Sequence, residues 1–293
     1  LYAGGGFTSI GGVTAGRVAQ FDGTTWQALG TGIAGPFSPT VFALALFDDG
    51  TGGGTQLYAA GRFDSADGQP APLIAKWTTQ GWRRVGSNLA GASIFSDISA
   101  LTVFDDGSGP ALYAGGSDFR VDGQPATAAR WDGTTWTRVG QALTGRTTAF
   151  AAFNDGTGTK LYAGGTAQPA VNYVYRLENN QWVPAAGGAA GGLQTGDFPS
   201  VFGLHASGNR LWVGGAFAQV GTGPTSARGI AALVACSATC RPDLNNDGEL
   251  TFDDITIFVG LYNASDPRAD FNSDGEWTFD DIALFVAAFN AGC

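Results

Sequence analysis

One short segment recurs through most of the chain at a nearly fixed interval, and that recurrence restricts the fold to a repeat architecture. It reads Leu1-Tyr2-Ala3-Gly4-Gly5, Leu57-Tyr58-Ala59-Ala60-Gly61, Leu112-Tyr113-Ala114-Gly115-Gly116, Leu161-Tyr162-Ala163-Gly164-Gly165 and Leu211-Trp212-Val213-Gly214-Gly215. The spacings are 56, 55, 49 and 50 residues. Other signals keep step with it. A Trp follows at positions 26, 82, 136 and 182. An apolar run precedes the next Leu-Tyr, over 41–47, 98–104, 148–153 and 201–204. Three of these runs close on turn residues: Asp48-Asp49-Gly50, Asp105-Asp106-Gly107 and Asn154-Asp155-Gly156.

Each unit predicts four short antiparallel strands. The apolar run is the first, and the Asp-Gly turn makes a tight hairpin to the Leu-Tyr-Ala-Gly-Gly strand. A longer loop leads to the third strand, with Asp67-Gly68-Gln69-Pro70 and Asp122-Gly123-Gln124-Pro125 as near copies. Asp22-Gly23-Thr24-Thr25 and Asp132-Gly133-Thr134-Thr135 turn it into a fourth strand at the Trp. No period of 3.6 appears before residue 250. Four antiparallel strands in about 50 residues describe a propeller blade, with the Trp packed between blades.

The fold class expected is therefore mainly β: a β-propeller of about five four-stranded blades over residues 1–235, followed by a small α-helical calcium-binding domain over 236–293. The propeller units supply eighteen strands, two short of five full blades, so the terminal remnants are expected to close on one another or to be completed by missing sequence or another chain. Leu1 begins inside a repeat and the chain contains no Met, so upstream sequence is expected as well. The Leu-Tyr-Ala-Gly-Gly-x-Phe pattern followed by the Asp-Gly-x-x-Trp hairpin resembles the delta-60-like and kelch-like repeats of secreted bacterial proteins. That resemblance implies a propeller and a secreted, extracellular or cell-surface location.

After Cys240 the pattern changes. Asp243, Asn245, Asp247, Glu249, Thr251 and Asp254 fall at positions 1, 3, 5, 7, 9 and 12 of a twelve-residue calcium loop. Asp270, Asn272, Asp274, Glu276, Thr278 and Asp281 repeat it 27 residues later. Calcium takes six to eight oxygen ligands, which alternate carboxylates and one backbone carbonyl can supply, and position 6 calls for Gly, here Gly248 and Gly275. An amphipathic helix should follow each loop, burying Phe252, Ile255, Phe258, Val259 and Tyr262 in the first and Phe279, Ile282, Phe285, Val286 and Phe289 in the second. Two bound Ca²⁺ ions are expected. The pair resembles a dockerin, or the dockerin-like C-terminal domains of planctomycete-type secreted proteins. Where cellulosomal dockerins carry small hydroxyl residues that read a cohesin, this chain has Phe252-Asp253 and Phe279-Asp280.

Charge separates the same two parts. Residues 1–239 hold 14 acids and 13 bases, whereas residues 240–293 hold 11 acids and two bases. An acidic chain of net charge −10 repels phosphate backbones, so no nucleic-acid partner is expected. No apolar run reaches the roughly 20 residues of a membrane-spanning helix. The cysteines stand at 236, 240 and 293; a Cys240–Cys293 disulfide is expected to clip the small domain and leaves Cys236 over, which could instead pair with Cys240 or with another chain.

Catalytic chemistry finds no foothold in the pattern. There is one His, His205, no phosphate loop, no zinc spacing and no nucleophile elbow. Every repeated Asp is accounted for by a turn. The expected function is a non-catalytic, secreted, calcium-binding structural protein, self-associating through propeller edge strands or the dockerin-like part as a polymer, matrix or surface-layer subunit. A propeller module that binds glycans or a cell-surface protein is the alternative; a propeller hydrolase or lyase is a third.

Overall fold

The computed structural model describes residues 1–141, 145–167, 174–185, 200–217, 229–234, 241–245, 249–272 and 274–291. The chain is mainly β, with two α-helices near its end. Five larger antiparallel sheets follow one another along the sequence, with two small ones beside them: Ser9–Ile10 with Val13–Thr14, and Ser65–Ala66 between Ile33–Ala34 and Gln69–Pro70. The first pairs Tyr2–Gly4, Val18–Phe21 and Trp26–Ala28 in that order. The second runs Thr40–Phe47, Gln56–Arg62, Ile74–Thr78, Gly81–Arg84. The third runs Asp97–Asp105, Pro110–Val121, Gln124–Trp131, Trp136–Arg138, with Leu89–Gly91 added beside the far end of its long second strand. The fourth runs Gly145–Asn154, Thr159–Ala167, Val174–Glu178, Gln181–Pro184, and the fifth Ser200–Ser207, Arg210–Ala216, Ile230–Val234. The repeated Leu-Tyr segment is the second strand of every four-stranded unit, as its sequence position implies.

Successive sheets stack by using the two faces of that strand. Leu57 and Ala59 face the first sheet, while Tyr58 and Ala60 face the third. Leu112 and Ala114 then face the second, and Tyr113 the fourth. Leu161 and Ala163 face the third, and Tyr162 the fifth. The period of two along a strand makes this alternation automatic. Each apolar first strand shows one register irregularity, at Val41/Ala43, Ile98/Ala100, Thr147/Ala149 and Val201/Gly203.

Tryptophan ties the stack together. Trp82 Nε1 donates to Leu29 O at 2.9 Å, Trp136 Nε1 to Val85 O at 3.0 Å, and Trp182 Nε1 to Val139 O at 3.1 Å, all buried. Each carbonyl belongs to the residue that directly follows the last strand of the preceding sheet. The next residue is Gly30, Gly86 or Gly140. At Gly86 and Gly140 φ is +68° and +65°, and an added Cβ would lie 2.6–2.8 Å from the incoming Trp ring, so only glycine fits.

The helices α1 (Phe252–Asn263) and α2 (Phe279–Ala291) have a core of their own. Phe258 stacks on Phe285 with centroids 3.9 Å apart, and Phe271 meets both rings edge-on. No sheet residue belongs to that core among the described residues. Ile255, Tyr262, Ile282 and Phe289 pack around it as the periodicity predicts. Phe252, Val259, Phe279 and Val286 do not: all four are exposed. They sit at the edge of the apolar stripe, roughly 60° or more from its centre at 100° per residue, outside the line along which the helices meet.

Candidate metal centre and charged latches

The paired loops fold around their own backbone. In the second loop Asp270 accepts N–H bonds from Asp274 (3.2 Å) and Gly275 (2.9 Å). Asn272 Oδ1 accepts from Asp274 N (3.0 Å), and Asp274 Oδ1 from Glu276 N (2.8 Å). Asp281 is fully buried; its two oxygens accept from Asn272 N (3.2 Å) and Thr278 N (2.8 Å), bridging the start of the loop to its end. The Thr278 amide, foremost, holds its carboxyl below the ordinary carboxylate range. Asn272 Nδ2 donates to Asp274 Oδ2 at 2.7 Å.

The first loop repeats the scheme. Asp254, also fully buried, accepts from Leu244 N (2.9 Å), Asn245 N (3.4 Å) and Thr251 N (2.9 Å). Asp243 is buried, while Asn245 and Glu249 reach solvent; Asp247 and Gly248 lie outside the described residues. Thr251 and Thr278, expected at a water-mediated ligand position, serve as helix caps. Their hydroxyls accept from Asp253 N (3.2 Å) and Asp280 N (3.3 Å), with Asp254 and Asp281 completing the reciprocal half. Among the described residues no three His, Cys, Asp or Glu side chains converge closely enough to hold a metal. The donor set still suits calcium. It is all oxygen, and an ionised carboxylate that accepts one or two N–H bonds keeps further lone pairs for a cation. Cys236, Cys240 and Cys293, with the disulfide expected between the last two, lie outside the described residues.

The sheets hold a second set of carboxylates that sequence reading reduced to turns. In the hairpin turn of the second sheet, Asp49 accepts from the Tyr58 hydroxyl (2.7 Å) and from Lys76 Nζ (2.5 Å), and Thr51 binds its other oxygen. The third sheet repeats this with Asp106, Tyr113 Oη (2.9 Å) and Arg130 Nε (3.4 Å). The fourth uses Asp155, Tyr162 Oη (2.9 Å) and Arg176 Nη1 (3.4 Å). One latch thus joins the turn, the second strand and the third. Burial pushes the Asp49 carboxyl up, but Lys76, Thr51 and Tyr58 outweigh it and hold it far below the ordinary range. Burial, then the adjacent Asp, pushes Tyr58, Tyr113 and Tyr162 well up. The signal was in the sequence: the Asp directly before the Gly of each turn precedes its Tyr by seven to nine residues.

A cleft of about 930 Å³ opens between the third and fourth sheets, lined by Asp106, Glu178, Arg130, Arg138 and Lys160. Most of its charges are paired: Glu178 with Lys160 (3.2 Å) and with Arg176 (2.9 Å), and Asp106 with Arg130, whereas Asp105 and Arg138, also in its walls, form no ion pair among the described residues. The carboxyl raised by burial, Asp97, is not among its walls; it pairs with Arg146 Nη2 at 2.9 Å. His205 is exposed on the first strand of the fifth sheet.

No protein-family model and no curated protein matches this chain. Among solved structures it is similar to the extracellular domain of BT4673 from B. thetaiotaomicron, described in one structure as a one-component and in another as a hybrid two-component system. The identities are 10% and 12%, and the TM-scores 0.45 and 0.44. Each match covers 73% of this chain and 24% of the other, so the chain spans about a quarter of those lengths. Among the described residues no helix is long and apolar enough to cross a membrane.

Proposed function

We propose that this chain is a non-catalytic, calcium-binding extracellular structural protein, in which the five sheets are blades of a β-propeller and the helical part is a dockerin-like module. The observation that carries the calcium reading is the duplication of one device. Two loops 27 residues apart each end in a fully buried Asp that ties the loop to the first turn of a helix. Eleven carboxylates face two guanidinium groups across residues 240–293, and a divalent cation in each loop relieves that repulsion. Asp243, Asn245, Asp247, Glu249, Thr251 and Asp254 would serve one ion, with Asp270, Asn272, Asp274, Glu276, Thr278 and Asp281 serving the other. Calorimetric titration should count two Ca²⁺ per chain; failure to bind, or a melt indifferent to chelator, overturns the reading.

Self-association is the assembly mode the fifth sheet favours. Tyr58, Tyr113 and Tyr162 are completely covered by the following sheet. Trp212 occupies the same repeat position and remains 37% exposed, beside exposed Ile230. No core cluster among the described residues joins the fifth sheet to the first. A second copy laid on that face would cover Trp212. Light scattering tests this: concentration-dependent assembly lost in Trp212→Glu supports it, and a monodisperse monomer at high concentration with saturating calcium overturns it.

A further inference from the structure

A cleft of about 240 Å³ lies between the 35–39 and 91–96 loops, at one end of the second and third sheets. Its walls include Phe37, Pro39, Leu73 and Ile94, and Arg62 opens onto it. Both loops are pinned. Arg17 donates to Pro39 O (2.9 Å) and to Ile33 O (3.0 Å). On the other side Ser96 Oγ accepts from Ala92 N and Ser93 N, each at 2.9 Å, and the Ser93 and Ser96 hydroxyls both donate to Asp118. Phe95 N closes the loop on Ser93 Oγ at 3.1 Å. Yet the apolar side chains these loops carry stand in water: Phe37 is 54% exposed, Ile94 50% and Phe95 68%. Ordering such loops costs entropy that their own burial does not return. A preformed apolar rim with one polar anchor is the usual form of a small-molecule site.

The anchor is an underused cation. Arg62 and Arg146 flank the Phe42 ring, with guanidinium carbons 5.9 and 5.6 Å from its centroid. Arg146 binds Asp97 at 2.9 Å and Ser99 Oγ at 3.1 Å. Arg62 has no ion pair, and its buried Nε has no hydrogen-bond partner among the described residues. Asp97 feels both guanidinium groups, but only Arg146 lies within ion-pair distance of it. Asp64 also lines the cleft, and its carboxyl disfavours densely charged anions such as phosphate.

We propose that this cleft binds a small monocarboxylate carried on an apolar body, with the carboxylate on Arg62 and the body against Phe37 and Ile94. Phenylacetate is the probe, 2-phenylethanol its neutral counterpart and inorganic phosphate the bare anion. Ligand-observed NMR on the full chain should give phenylacetate a Kd on the order of a millimolar or tighter, with the other two roughly tenfold weaker or worse. Arg62→Gln should lower phenylacetate affinity about tenfold, because a charge-assisted hydrogen bond is lost. Ile94→Ser, at a half-exposed site that leaves the melting temperature unchanged, should weaken it severalfold. Calcium titration should be unchanged in both variants, which separates this site from the loop–helix module. Absence of phenylacetate binding, equal binding by Arg62→Gln, or phosphate binding as tightly as phenylacetate each overturns the proposal.

Discussion

The sheets and the helical module both bury aspartates, but they neutralise them in opposite ways. In the sheets, Asp49 lies against a lysine, a tyrosine hydroxyl and a threonine hydroxyl. In the module, Asp254 and Asp281 accept bonds from backbone N–H groups, and neither forms an ion pair with Lys or Arg among the described residues. Side-chain partners make a latch that is complete in itself. Backbone partners leave the carboxylate's full charge in place, and the neighbouring carboxylates add to it. One arrangement is finished by folding; the other keeps its charge, and the calcium proposal rests on that difference.

The largest effect that tests this contrast is loss of the module's buried acids. Asp254→Ala and Asp281→Ala each strand two or three amides at about 1–3 kcal/mol apiece, in a segment too small to absorb the loss. Circular dichroism should lose its helical component while the sheet signal persists, even in excess calcium. Helices surviving both substitutions would make the carboxylates bystanders. Next comes a graded comparison within the sheets. Tyr58→Phe should cost about 1–2 kcal/mol in urea denaturation, because the Asp49 side chain is wholly covered and its Oδ2 loses one of its two partners with no water to replace it. Tyr113→Phe should cost roughly half as much, since the Asp106 side chain is a third exposed and water can replace the hydroxyl. Equal losses would mean that the latches do not depend on burial.

The smallest effect is in pH dependence, and its sign differs between the three latch aspartates and Asp97. Asp49, Asp106 and Asp155 are held below the ordinary carboxylate range, net of a burial effect that pushes the other way. Their stabilisation is complete above the unfolded value near about pH 4 and is lost as pH falls towards their folded values. Asp97 is raised by burial against the pull of Arg146, so the folded state favours its proton. Its contribution is present below about pH 4 and is lost as pH rises through the raised value. Asp97→Asn should therefore gain stability relative to the parent between about pH 4 and pH 7, as read by thermal melts at both values. A constant difference across that range would sink the assignment.

Much of the fold was legible in the sequence because the repeat carries its own register. The apolar runs, the Leu-Tyr strands and the Asp-Gly turns all fall where the spacing puts them. The Trp was expected between sheets; what escaped was the carbonyl it binds and the glycine that admits its ring. The spacing from Trp to a following glycine, as in Trp82-Arg83-Arg84-Val85-Gly86 and Trp136-Thr137-Arg138-Val139-Gly140, marks where the next sheet's indole arrives. One sheet's periodicity cannot reveal that. The double role of the turn aspartates escaped for the same reason, since a local turn explains Asp48 but not the hydroxyl of Tyr58 on Asp49. In the module the duplicated loops and the helices could be read directly. The exposure of Phe252 and Phe279 could not, because the width of a helix's buried stripe depends on the neighbour it meets.

The indole-to-carbonyl bonds also fix how the molecule would respond to force. Every such bond joins one sheet to the sheet immediately before it, so a pull on the chain ends meets a row of couplings in series. Extension should then proceed sheet by sheet, and each release would free one repeat of 49 to 56 residues. At about 3.3–3.6 Å per residue, that is a lengthening on the order of 160–200 Å per event. A stretched chain should give a sawtooth trace with nearly even teeth, each rupture exposing one tryptophan to water.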